Sequence, residues 1–350
     1  SYAFYDCKCL ISLKLGKNIQ EISDFAFYNC YNMTESIDLS SVRYLGCRAF
    51  SNCTNLIGDI TISNSIDVIQ ERTFYNCPNI QKVVLADNIL SIEEYAFALC
   101  SGMTSVQFGK KLNVISQYSF YGCESLTKIE FQDNLTSIES HAFASCYNVT
   151  AITFGLNLTT IEDHAFYECY KLSKIDLTDK ITKISNSSFN NCRSLSEIKF
   201  GKGLTEIPEY AFYCCYSLNK ITFAENIENI EQFAFGYCQQ INELNLPSKI
   251  TEIKSNAFYN AGITTITFPE NLETINDYAF YNCYNLTTLT CPGKLTSLGN
   301  ESFGSCPQLQ KVIFNQELTT IGEFAFYECQ NLRDIVLGER ITQIEQYAFA

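Results

Sequence analysis

Apolar and polar residues follow one pattern along this chain, and the pattern restarts about every 23 residues. One unit, FYGCESLTKIEFQDNLTSIESHA from Phe120, carries its apolar residues at Phe120, Cys123, Leu126, Ile129, Phe131, Leu135 and Ile138. Leu126-x-x-Ile129-x-Phe131 ends in the alternation of a short strand with one buried face, and the following Gln132-Asp133-Asn134 supplies a turn. A second extended piece, Leu135-x-x-Ile138, leads into what reads as a short helical or 3-10 turn, with Ser140 placed to cap it and Ala142-Phe143 to pack inward. The repeat phenylalanine recurs sixteen times from Phe4 to Phe349, and thirteen of the fifteen intervals are 23 residues. The exceptions are 24 between Phe50 and Phe74, where Gly58 looks inserted, and 22 between Phe258 and Phe280, where a residue is lost near Ala261-Gly262. A single unit cannot bury its own apolar side, whereas stacked units share a continuous core, so each is read as one coil of a solenoid. No linker or low-complexity stretch interrupts the period, which predicts one domain over 1–350.

Composition narrows the function classes. Of the 350 residues 46% are hydrophobic, ample for a core, while the net charge of −14 and the lack of a basic run argue against nucleic acid as partner. Apolar runs stay far below the roughly 20 residues of a membrane-spanning helix, so no span is expected in this segment. The chain opens on Ser1 rather than methionine, and both ends fall within a coil, as expected of a piece cut from a longer array. No phosphate-binding glycine loop, metalloprotease helix or nucleophile elbow occurs. A repeat surface also brings no nucleophile, base and orienting group to one pocket, so neither an enzyme nor a cofactor is expected.

The L-x-x-I-x-F and L-x-x-I-x-x-x-A-F-x-x-C motifs, repeated over the whole chain, resemble the BspA-type (Treponema pallidum-type) leucine-rich repeats of bacterial and anaerobic-protist surface proteins. The resemblance implies an α/β leucine-rich-repeat solenoid of about fifteen 23-residue coils. A parallel β-sheet would line one face, with short strands and helical or 3-10 turns on the other. It also implies an extracellular or cell-surface binding or adhesion role, without chemistry. Departures are local: Cys291 stands where neighbouring units have Phe268 and Phe314, and the 36–45 unit shifts its spacing.

Fourteen of the eighteen cysteines stand three residues after the repeat phenylalanine, and Ala261 holds the same place once. An alanine would strand a disulfide partner, so the ladder reads as buried, reduced thiols. Cys9, Cys47, Cys214 and Cys291 lie off it, and a reactive or paired cysteine is sought among them. The only two histidines, His141 and His164, occupy the position two before the phenylalanine, where Tyr2, Phe25, Tyr95, Tyr118, Tyr210, Phe233, Tyr278, Phe324 and Tyr347 also stand. They read as rungs of a ring ladder. A metal site built with Glu139, Glu162 or Asp163, or a pH sensor, is the sharper alternative. Tyrosines one residue after the phenylalanine, such as Tyr121 and Tyr167, form a second ring row that is either packing or contact surface.

Outward positions of the first strand are the expected partner surface. They include Lys128, Lys174, Glu197, Lys220 and Glu243, and a threonine patch of Thr222, Thr265, Thr267, Thr288 and Thr290. Ile313 and Val336 extend the row as exposed apolar residues. Eight N-x-S/T sequons occur, at Asn32, Asn52, Asn134, Asn148, Asn157, Asn186, Asn285 and Asn300, several of them simply the repeat's own wording. The leading expectation is a surface or secreted module for protein or glycan ligands. The rival is a scaffold or filament assembled by end-to-end homotypic contact.

Overall fold

The computed structural model describes residues 1–350. It falls into two compact units, Ser1–Lys174 and Ile175–Ala350, each built from the same coil. Twenty-eight short strands alternate along the chain. First strands of the type Lys128–Glu130 number thirteen and second strands of the type Ser137–Ile138 number fifteen, which makes about fourteen coils. All pairing is parallel and runs between successive coils, as in Lys128↔Ala151 and Ser137↔Thr160 of the first unit or Glu197↔Lys220 and Glu206↔Asn229 of the second.

The second strands make the longer ladders. Seven of them, from Glu206–Ile207 to Gln343–Ile344, form one continuous sheet in the second unit. First strands pair only in runs of two or three, so Lys220–Thr222, Thr265–Thr267 and Thr288–Thr290 belong to three different hydrogen-bonded runs. The threonine patch is therefore interrupted rather than one continuous sheet.

The expected helical or 3-10 turns are absent, and Ser140 has no helix to cap. Three overlapping four-residue turns take their place. Ala142 N–H bonds Glu139 O at 3.2 Å, Ala144 N–H bonds His141 O at 3.1 Å and Cys146 N–H bonds Phe143 O at 3.3 Å, all within the coil. His141, Phe143 and Ser145 instead donate to Asp163, Ala165 and Tyr167 of the next coil at 2.8 to 2.9 Å. A helix cannot form here because alternate amides are committed to a neighbour, and because the third residue of the first and of the last turn is left-handed: His141 has φ 57° and Ser145 φ 59°.

The core is a column of rings. In the first unit the repeat phenylalanines from Phe4 to Phe166 stack nearly parallel, with centroids 5.0 to 5.5 Å apart. In the second, Phe189 to Phe349 do the same at 5.1 to 5.6 Å. Where a phenylalanine follows the first strand it meets this column edge-on: Phe108 crosses Phe120 at 86° and Phe200 crosses Phe212 at 86°, while Leu85, Leu177 and Leu246 hold the same place in other coils. Offset-parallel and edge-on contacts are the two arrangements that the ring quadrupole favours. Cys291, in the place of such an edge-on ring, is buried all the same. Deleting one stacked ring leaves a cavity that the neighbouring coils cannot close. Phe166→Ala is expected to cost about 3–5 kcal/mol in denaturant melts, and Tyr167→Ala, at a half-buried position, much less. Equal losses would invert the assignment of inside and outside.

Candidate functional site

The ring ladder that holds the histidines follows from the left-handed turn position. All sixteen residues two before the repeat phenylalanine have φ between 50 and 61°. That conformation costs an L-residue about 1–2 kcal/mol. Here it is offset by an inter-coil backbone hydrogen bond and by stacking of the side chain on the next coil. In the first unit Tyr95 stacks on Tyr118 at 4.7 Å, Tyr118 on His141 at 4.6 Å and His141 on His164 at 4.7 Å, the two imidazoles only 5° from parallel. Where the ring is missing, guanidinium planes continue the row: Arg72 lies 4.4 Å from the Tyr95 centroid, and Arg48 lies 5.4 Å from that of Phe25. Glu71 pairs with both arginines.

The two histidines are thus brought together, but the residues considered with them for metal chemistry are not. Glu139 accepts the Gln117 N–H at 3.1 Å, and Asp163 contributes its backbone carbonyl to His141 N–H at 2.9 Å. Nδ1 of each imidazole is buried without a hydrogen-bond partner. A ring binding a metal through Nε2 would carry its proton on Nδ1, where nothing accepts it. For the same reason no carboxylate orients either ring as a general base. No group of three or more His, Cys, Asp or Glu side chains is placed to hold a metal ion. Burial lowers the pKa of both histidines below the ordinary value. For His141 the neighbouring His164 lowers it further and Asp163 opposes.

All eighteen cysteines are free thiols. The ladder cysteines do more than fill space. Cys77 Sγ donates to Phe50 O of the preceding coil at 3.1 Å, Cys146 to Phe120 O at 3.3 Å and Cys238 to Phe212 O at 3.3 Å. Each of these carbonyls also accepts the backbone N–H three residues on, so both of its lone pairs are used. Burial pushes the Cys30 thiol up to about 11 and that of Cys100 up to about 12. Among the off-ladder cysteines, Cys9 is exposed and Cys47 and Cys214 are half-buried. Cys291, one of the four among which a reactive or paired cysteine was sought, is core, with its thiol pushed up to about 12 by burial.

The outward strand residues stand where the alternation placed them. Lys128, Lys174, Lys220, Thr222, Glu243, Thr265, Thr267, Thr288 and Thr290 are exposed, and Glu197 is half-buried beneath an ion pair to Lys220 at 2.8 Å. Sequence reasoning missed the purpose of the asparagines. Asn134 Nδ2 donates to Lys110 O, Asn148 to Glu124 O and Asn285 to Gly262 O at 2.7 to 3.2 Å, each tying its coil to the one before. A further row, two residues after the phenylalanine, links amide to amide: Asn52 to Asn29, Asn76 to Asn52 and Asn282 to Asn260, all at 2.9 Å. The sequon-rich wording of the repeat thus has a structural cause. Also missed was a groove of about 910 Å³ beside 36–40 in the first unit, whose only sequence sign was the shifted spacing of that coil.

Parallel coils, a phenylalanine column and strand faces with outward polar rows define a leucine-rich-repeat solenoid. The BspA type Leucine rich repeat region (6 copies) matches residues 1–104, 67–196, 159–287 and 251–350, and the chain belongs to that family. Solved structures of similar fold include a leucine-rich repeat protein from Bacteroides ovatus, 23% identical over 93% of this chain and 92% of that one, with TM-score 0.61. A leucine rich cell surface protein from Faecalibacterium prausnitzii is 21% identical over 93% and 92%, with TM-score 0.53. The pneumococcal vaccine antigen PcpA is 16% identical over 90% and 81%, with TM-score 0.51. No curated protein matches the chain. No helix is long and apolar enough to cross a membrane.

Two measurements probe these ladders. Because the folded histidines hold protons less tightly than unfolded ones, the unfolded state binds more protons as the pH falls through about 6.5, and stability drops in that direction. The melting temperature of the His141→Phe/His164→Phe variant, with rings already used at this position by Phe25 and Phe233, should fall less between pH 7 and 5 than that of the parent. Parallel curves would remove the histidines from the acid response. Alkylation of the native protein followed by peptide mass analysis should label Cys9 first and Cys47 and Cys214 more slowly, leaving buried ladder thiols such as Cys100 and Cys123 untouched until denaturant is added. Labelling of Cys123 in the native state would contradict the buried ladder.

Proposed function

We propose that the chain is a non-enzymatic binding or adhesion module, secreted or displayed on a cell surface, that presents its repeat-built strand face to protein or glycan ligands. The observation that carries this reading is the outward row of first-strand residues. It exposes lysine, glutamate and threonine side chains coil after coil, while the apolar partners of those strands are spent on the core. Such a surface offers many weak polar contacts over a long footprint and no converging catalytic groups. The description of the F. prausnitzii relative as a cell surface protein supports the location, and family membership supports a scaffold without chemistry.

The test has two arms. Trypsin applied to intact producing cells should remove the protein without lysis. Purified, labelled chain should then bind intact animal or bacterial cells saturably, and periodate or protease treatment of the target cells tells a glycan ligand from a protein one. Resistance to trypsin on intact cells, or binding that never saturates, overturns the reading.

A further inference from the structure

Backbone hydrogen bonds close the first-strand face of the first unit between some coils and leave it open between others. Ile62 N–H donates to Val84 O and Leu85 N–H to Gln107 O, both at 2.9 Å. Leu39, one coil before Ile62, makes no equivalent bond to Thr61 O. Segment 36–40 forms no strand, which leaves Gly58–Thr61 as the edge of its three-stranded run. On its other, paired side this edge strand shifts register against Ile80–Val84 between Gly58 and Asp59, and Gly58 takes φ 94°, a conformation open to glycine. A Cβ at this position would lie 3.2 Å from that of Ser36, so the backbones approach closely here while the strand faces part.

The groove that results, about 910 Å³, falls within the span of about 300–1,000 Å³ usual for small-ligand sites. Ser36, Asp38, Asp59, Thr61, Asn64 and Asp87 are among the side chains that line it. Gln107 lines both this groove and a second one of about 480 Å³ that continues along the same face to Gln132.

The chemistry of the walls selects the ligand. Three carboxylates and no lysine or arginine line the larger groove; Asp87 is paired with Lys110 at 2.8 Å, and the charges of Asp38 and Asp59 disfavour an anionic ligand. A metal ion is not served, since no three ligating side chains converge. An apolar peptide finds no anchor pocket: Ile37, Leu39, Ile62 and Leu85 at this place are turned into the core, and Val84 and Ala86 are small. What remains is a dense set of hydroxyl, amide and carboxylate groups, joined by the Thr61 carbonyl and the Leu39 N–H that the open ladder leaves without a strand partner. Carboxylates accept two hydroxyl donors, amides both donate and accept, and hydroxyls do either, which together satisfy neighbouring hydroxyls on one sugar ring.

We propose that this groove, at the strand edge that segment 36–40 leaves unpaired, binds a neutral oligosaccharide. The proposal rests on reading the chain as a binding module and names the ligand class for one part of its strand face.

The experiment is saturation-transfer NMR on the full chain with cellohexaose, maltohexaose and mannohexaose, and with an anionic heparin-derived hexasaccharide for contrast. The variants are Thr61→Arg, which fills the groove, Asp38→Ala/Asp59→Ala, and Glu209→Arg, at an exposed turn of the second unit away from the strand face, as control. Thermal melts confirm that each variant is folded. The expected result is transfer to at least one neutral hexasaccharide, weakened about tenfold or more by both groove variants and unchanged in Glu209→Arg. Absence of transfer to every neutral sugar, undiminished binding by Thr61→Arg, or equal binding of the heparin fragment overturns the proposal. Saturable binding to intact cells that survives in Thr61→Arg would then leave the broader module reading standing, whereas its absence in the parent removes that reading as well.

Discussion

The structure depends on one bond: the amide of each repeat phenylalanine donates to the carbonyl of the residue before the next one, as Phe143 does to Ala165 at 2.8 Å and Phe212 to Ala234 at 2.9 Å. To make it, the chain must leave a helical path, and two residues in each coil must turn left-handed. Once it is made, the phenylalanines are held within stacking distance and the second strands fall into register beside them. The side chains then share out the remaining polar groups. A thiol takes the second lone pair of the phenylalanine carbonyl, and asparagine and threonine side chains take carbonyls that the turns leave over, as Thr159 does with Thr136 O at 3.0 Å. No coil is self-sufficient in hydrogen bonds, just as none is self-sufficient in burial.

That arrangement explains which parts of the fold were legible. Apolar spacing fixes which residues face inward, and every repeat phenylalanine from Phe50 to Phe303 is buried as its period required. The turns were misread because most of the left-handed residues two before the phenylalanine are tyrosine, phenylalanine, histidine, arginine or glutamate, none of which advertises a positive φ as glycine does. Asn256 there, and Asn29, Asn52 and Asn76 at the last turn, carried that signal, and a run of asparagines at one fixed offset was the available clue. The histidines were legible as rungs for the converse reason. A planar side chain is what the position selects, and an arginine, though not a ring, meets the same demand.

The candidate site was less legible than the fold. Alternation placed Lys128, Thr265 and their neighbours on the outer row, because a strand leaves no other choice. Where the rows stop pairing is decided by small differences in strand path that a 23-residue pattern does not record. The inserted Gly58 was visible, yet a one-residue irregularity is as easily absorbed in a loop as expressed in a sheet. Here it lands inside a strand, where it shifts the pairing with the next coil instead of lengthening a turn.

The turn amides reach forward to the following coil, while the thiols and asparagines reach back to the preceding one. The turn junctions therefore repeat much the same bonds from coil to coil, and in one direction. A gene that duplicates or drops one whole repeat joins like to like, and each orphaned donor meets an acceptor of the kind it lost. Array length can then drift from lineage to lineage at little cost in folding. A partial repeat has no such freedom, and an odd residue survives only where the structure can make something of the gap.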